Sequence, residues 1–143
     1  MRVGILGGGQ LGRMLALAGY PLGVRFRHLG SPQDTSAREV AEHINAAYED
    51  TEALARFAEG LDVVTYESEN VPVEAVQFLS ARVPVLPSLA ALKASQDRLN
   101  EKLAFAAVGI PTAPYAAVNS FEELKEAAPR IGYPGVLKTR RMG

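Results

Sequence analysis

Three groups of residues in this chain have types and spacings suited to chemistry. The first is the glycine-dense segment Gly7-Gly8-Gly9-Gln10-Leu11-Gly12, set between the apolar run Val3–Leu6 and a helical pattern that starts at Gln10. Gly7, Gly9 and Gly12 fit GxGxxG in the strand-to-helix context that gives this spacing its meaning. Small residues let backbone N–H groups approach an anion while the helix directs its positive end at the same place, so the expected guest of this turn is a phosphate. The alternative is that the glycines serve only strand-to-helix packing. The second group is Glu67 and Glu69, just past the strand candidate Val63–Tyr66. They point to one side if the strand continues and diverge if it turns. One of them facing a sugar hydroxyl or an amine is weighed against a solvated loop. The third is Lys138, which ends the apolar run Gly135–Leu137 and precedes Arg140 and Arg141. A lysine at a strand's end suits phosphate oxygens as a mobile point charge. Arg98, Glu101 and Lys102 fall at i, i+3 and i+4, and from chemistry alone they read as surface ion pairs on a helix.

A dinucleotide site would need an acidic side chain about 20 residues beyond the glycines, at the end of the second strand. No carboxylate occurs there before Asp34, which weakens an NAD reading, while Arg27 or His28 would suit the 2′-phosphate of NADP. An NADP-binding oxidoreductase and a non-catalytic phosphate-binding module therefore stand as alternatives.

The elements that must position these groups alternate in the βαβ manner. Strand candidates are Val3–Leu6, Val24–Leu29, His43–Ala47 and Val63–Tyr66, separated by helical patterns over Gln10–Ala18, Ser36–Ala41 and Thr51–Glu59. This predicts a parallel sheet covered by helices, a Rossmann-like α/β domain. Asp50 caps the helix that begins at Thr51, Pro72 opens a helix carrying Val73, Val76 and Leu79, and Val83–Pro87 reads as a short closing strand. A first domain is expected over 1–87 and the start of a second over 88–143. The second holds helices at Leu89–Ala94, Asp97–Val108 and Phe121–Ala128 and a strand at Gly135–Lys138. That strand has nothing to pair with, so the sequence is expected to be part of something larger.

Composition narrows the partners. Fifteen basic and sixteen acidic residues give a net charge of -1 with neither sign in a run. This disfavours a nucleic-acid groove or a polybasic membrane surface. The chain has no cysteine and two histidines, which argues against disulfides and a zinc site. Without an apolar run near 18 residues, a soluble, cytoplasmic protein is expected.

Taken in order, Gly4–Gly19 (GILGGGQLGRMLALAG), Asp62–Pro72 (DVVTYESENVP), Gln96–Phe105 (QDRLNEKLAF), Gly109–Tyr115 (GIPTAPY) and Gly132–Gly143 (GYPGVLKTRRMG) resemble the amino-terminal part of the 5-(carboxyamino)imidazole ribonucleotide synthases, ATP-grasp ligases of purine biosynthesis. The resemblance implies a pre-ATP-grasp domain followed by the beginning of an ATP-grasp domain. It implies ATP and Mg2+ as cofactors, bicarbonate and 5-aminoimidazole ribonucleotide as substrates, carboxyphosphate as intermediate, and a homodimer. It places Gly8, Gly9, Gln10 and Leu11 near the ribose phosphate and Glu67, with Glu69 beside it, near the ribose or base. It also places Arg98, Lys138 and Gly143 on ATP, which reverses the ion-pair reading of Arg98. Catalytic groups and magnesium ligands are expected beyond Gly143, so the segment alone is expected to be inactive.

Overall fold

A computed structural model of the chain describes residues 1–34 and 36–142. The chain divides into two compact units, Met1–Lys93 and Ala94–Gly143.

The first unit is built on a parallel sheet of β1 (Arg2–Leu6), β2 (Arg25–Gly30), β3 (Glu42–Asn45) and β4 (Val63–Tyr66), in the order β3-β2-β1-β4. The helix-covered parallel sheet expected from the βαβ alternation is present. Register pairs Leu6 with Leu29 and with Tyr66, and His28 with His43. Strand order reverses between β1 and β4, and in open parallel sheets the crevice at the carboxyl ends of such a pair is where ligands gather.

Burial explains why the strands lie where they do. Leu6, Leu29 and Val64 pack into one core with Ala53, Leu54 and Phe57 of α2 (Thr51–Ala58) and with Ala75, Val76 and Leu79 of α3 (Val73–Ser80). Asp50 starts α2 by accepting a hydrogen bond from the Ala53 amide at 2.9 Å. The helix α1 (Gln10–Gly19) instead buries a stripe of small residues, Gly12, Ala16 and Gly19, so its backbone lies close to the sheet. A further helix, α4 (Leu89–Ser95), adds Leu92 to the core.

Two expected elements of this unit are absent. Residues 36–41 form turns and a bend closed locally on Ala37 O, not a helix, and several of their other backbone groups are taken by other parts of the fold. Ser36 O accepts from Arg13, the Ala37 amide donates to Gly8 O, and Val40 O accepts from the Tyr20 hydroxyl. The segment from Val83 makes only a bridge, Val85 opposite Val64, since Pro84 and Pro87 withhold the amides a longer ladder needs.

In the second unit, α5 (Arg98–Ala107) is capped by Asp97 and α6 (Phe121–Ile131) by Ser120. The expected strand at Gly135–Lys138 is not formed. A strand exists through its ladder, and these residues pair with no other strand among the described residues.

Candidate functional site

The glycine segment forms an elbow at the carboxyl end of β1. Gly7 has φ +117°, a backbone region open to glycine and closed to most other residues, and this turns the chain out of the strand and into α1. The Gly7 amide extends the β1–β2 ladder by donating to Leu29 O at 2.8 Å. Carbonyls along the elbow point inward and are held: Gly7 O by His28 Nδ1 at 2.8 Å, Gly8 O by the Ala37 amide at 2.9 Å and Gly9 O by the Arg13 amide at 3.0 Å. Gly12 donates to Glu67 Oε2 at 2.6 Å. Between these fixed points, the amides of Gly8, Gly9, Gln10 and Leu11 have no partner among the described residues. A helix leaves its first amides unpaired unless something outside it accepts from them, so this row is suited to an anion.

Glu67 follows directly after β4, where the chain leaves the sheet in a bend that becomes a turn at Glu69. Glu69 makes no hydrogen bond or ion pair among the described residues, whereas Glu67 reaches into the elbow. A Cβ on Gly7 would lie 2.3 Å from the Glu67 carboxyl carbon, one on Gly9 3.0 Å from Oε1 and one on Gly12 2.8 Å from Oε2. The motif glycines thus do two things at once. They bare amides, and they make the socket that admits a carboxylate to the helix N-terminus. The Glu67 carboxylate lies against Gly7, Gly9 and Gly12 and spends Oε2 on the Gly12 amide, which leaves Oε1 able to accept from a donor such as a hydroxyl.

Residues not singled out in the sequence complete the surroundings. His43 stands beside His28 in register, with its Cε1 where a Cβ on Gly8 would be, 2.3 Å away. Asp34 Oδ2 accepts from Ser31 N and Oγ, both at 3.2 Å, and also lies near Gly30. Burial, with the carboxylates of Asp34 and Glu67, pushes the Tyr48 hydroxyl up to about 12. Burial lowers the pKa of both histidines; for His43 the Arg38 charge adds to the effect, and for His28 the bond to Gly7 opposes it. The one sequence signal for this cluster is that both histidines fall on strands beside the glycine turn.

The cations suggested for a 2′-phosphate are already engaged. Arg27 donates from one nitrogen to Phe57 O at 2.9 Å and Glu59 O at 2.7 Å, closing the end of α2, and pairs with Glu42 at 2.8 Å. His28 is fully buried.

In the second unit one of the expected ATP contacts, Arg98, sits on a staple between the start of α5 and residues 139–141. The Arg98 amide donates to Arg140 O at 2.9 Å and its Nε to Thr139 O at 3.1 Å. Asp97 accepts from the Leu99 amide at 3.0 Å and from Arg140 Nε at 3.1 Å, and its second oxygen meets another Arg140 nitrogen at 2.8 Å. Burial opposes ionisation of Asp97, but Arg140 and the Asn100 and Leu99 amides outweigh it and hold its carboxyl below the ordinary value. Among the described residues, Arg98, Glu101 and Lys102 form none of the ion pairs their spacing suggested, and Lys102 instead lies 5.6 Å from the Tyr115 ring centre. Lys138 is exposed and without an ion-pair partner among the described residues. Gly143 lies outside the described residues. Among those described, no group of three or more acidic, histidine or cysteine side chains is placed to hold a metal, and no helix is long and apolar enough to cross a membrane.

Residues 1–96 match the ribonucleotide synthetase preATP-grasp domain family. The chain is 50% identical over all its 143 residues to an N5-carboxyaminoimidazole ribonucleotide synthase of Pseudomonas aeruginosa, of which it covers 40%. It is 46% identical over 142 residues to the bifunctional purine synthesis protein purC/E of Dictyostelium discoideum, covering 14% of that protein. Among solved structures, the N5-carboxyaminoimidazole ribonucleotide synthetase of Thermus thermophilus superposes with a TM-score of 0.86 and 54% identity over 97% of this chain and 39% of that one. The synthase of Aspergillus clavatus, solved in complex with ADP and 5-aminoimidazole ribonucleotide, gives a TM-score of 0.78 and 32% identity over 93% of this chain and 36% of that one. The chain therefore spans about two fifths of the synthases it resembles. It belongs to the ribonucleotide synthetase preATP-grasp domain family, and its similarity is to the amino-terminal part of N5-carboxyaminoimidazole ribonucleotide synthases.

Proposed function

We propose that this chain is the substrate-binding amino-terminal part of an ATP-dependent ligase that carboxylates the exocyclic amine of 5-aminoimidazole ribonucleotide. In this reading ATP and bicarbonate give carboxyphosphate, the carboxyl unit passes to the amine, and ADP and phosphate leave. The observation that carries it is the row of open amides at Gly8, Gly9, Gln10 and Leu11, next to a carboxylate held in the elbow, at the sheet's switch point. The ribonucleotide's phosphate takes the amides, and Glu67, with Glu69 on the adjoining turn, serves its hydroxyls or base. This division follows the charges, since Glu67 repels a phosphate and welcomes a donor.

Residues 88–143 supply the start of the ATP-grasp domain, in which Arg98, Lys138 and Gly143 contact ATP. The arginine and lysine side chains suit phosphate oxygens. Mg2+ supplies charge neutralisation at the phosphates, and in this reading its protein ligands belong to the remainder of the enzyme. The balanced charge and the lack of cysteine fit a cytoplasmic setting with no nucleic-acid or membrane partner, and the family resemblance implies a homodimer. In an enzyme carrying this segment, ADP release should require both 5-aminoimidazole ribonucleotide and bicarbonate. Steady ADP formation indifferent to the ribonucleotide would refute the reading.

A further inference from the structure

His28 has no exposed surface and lies in β2, which is flanked by β1 and β3. Its Nδ1 stands 2.8 Å from Gly7 O. A carbonyl oxygen can only accept, so the proton of the neutral ring is on Nδ1, and Nε2 carries a lone pair that meets no partner. The other tautomer would set two acceptors against each other at the Gly7 carbonyl and leave a buried N–H unpaired.

The peptide that this bond holds is little constrained by its own residues. It joins two glycines, and Gly7 already has positive φ, so rotating the Gly7–Gly8 plane meets no side-chain barrier. In a planar trans peptide the carbonyl and the following N–H point in opposite directions. Fixing Gly7 O on the ring therefore fixes Gly8 N–H away from the ring, where it meets no partner among the described residues. The Ala37 amide does the same for the next peptide by holding Gly8 O, which turns Gly9 N–H outward.

We propose that His28 is a positioning residue of the phosphate elbow, its Nδ1–H pinning the Gly7 carbonyl so that the Gly8 amide is presented to a sugar phosphate. This rests on the phosphate reading of the elbow given above. It adds a buried residue of the second strand to the elbow that the first strand and Glu67 form.

The test is calorimetric titration of the chain with ribose 5-phosphate, combined with 15N spectra of the histidine rings. The His28 ring should show protonated Nδ1 and unprotonated Nε2, and the reverse tautomer would overturn the proposal. His28→Asn places an amide N–H close to the position of Nδ1 and should bind within about threefold of the parent chain. His28→Leu removes the donor and should weaken binding about tenfold or more, with the Gly8 amide resonance displaced and the Gly12 resonance in place. His28→Gln, which carries its amide farther out, should behave as His28→Leu does and serves if the leucine variant does not fold. Parent-like binding by the leucine or glutamine variant would overturn the role of His28 and leave the phosphate reading intact. No binding of ribose 5-phosphate by the parent chain would refute the phosphate reading itself, and this inference with it.

Discussion

Glu67 Oε2 accepts the Gly12 amide at 2.6 Å, joining the end of β4 to the first turn of α1 across 55 residues of sequence. The bond places a carboxylate within a glycine socket and stabilises the positive end of the helix. It also divides the elbow into a part already satisfied, at Gly12, and a part left open, at Gly8–Leu11.

Removing that carboxylate leaves the Gly12 amide without its partner. Glu67→Ala should destabilise the first unit by about 1–3 kcal/mol, read from urea unfolding, while Glu67→Gln, which retains an acceptor, should cost less than half as much. An alanine variant as stable as the parent would mean that the socket contributes nothing to folding.

Filling the elbow should displace its guest. The Cβ of Gly9→Val would start 3.0 Å from Glu67 Oε1 and bring two methyl groups with it. Ribonucleotide affinity should fall by about tenfold or more, with ATP affinity of the whole enzyme little changed. Unchanged ribonucleotide affinity would remove the phosphate from this turn.

The opposite selectivity is expected at the other cluster. Lys138→Ala in an enzyme carrying this segment should weaken ATP about tenfold or more and the ribonucleotide hardly at all, because a cation facing phosphate contributes about 1–3 kcal/mol once partly desolvated. Equal losses for both ligands would show that the residue acts through folding. Asp97→Ala should raise the exchange rate of the Leu99 and Asn100 amides and weaken ATP as well, since it frees Arg140 from the staple. Asp97→Asn should keep the cap.

Stability should also depend on pH through the strand histidines. Burial lowers the folded-state pKa of His28 below its ordinary value, so the unfolded chain binds the extra proton first. The stabilisation is complete above about pH 6.5 and declines as pH falls below it, until the folded form too is protonated; the slope is at most about 1.4 kcal/mol per pH unit for this residue. His43, with Arg38 and Asp34 about it, adds to the same trend. Urea unfolding between pH 5 and 7 should show a shallower dependence in His28→Leu than in the parent chain.

What the sequence revealed and what it concealed differ by physical cause. β4 spans Val63–Tyr66 as its apolar run predicts, and α2 begins at Thr51 where Asp50 caps it, because these elements are set by local pattern and by their own cap. Residues 36–41 have a helical pattern, yet Gly8, Arg13 and Tyr20 take their backbone groups, a tertiary competition that no local window contains. The elbow was legible from glycine spacing. That Glu67 occupies it, and that His28, His43, Asp34 and Tyr48 surround it, depends on strand order, which spacing does not encode. Arg98 could not be resolved from helical spacing alone, because its partners, Thr139 and Arg140, lie some 40 residues away.

The central claim is that the open amides of the elbow receive a sugar phosphate. Titrating the 15N-labelled chain with ribose 5-phosphate tests it most directly. Saturable amide shifts should be largest at Gly8, Gly9, Gln10 and Leu11, with Gly12, held by Glu67, little affected. Shifts centred elsewhere, or none at those four amides at saturating ligand, would contradict it.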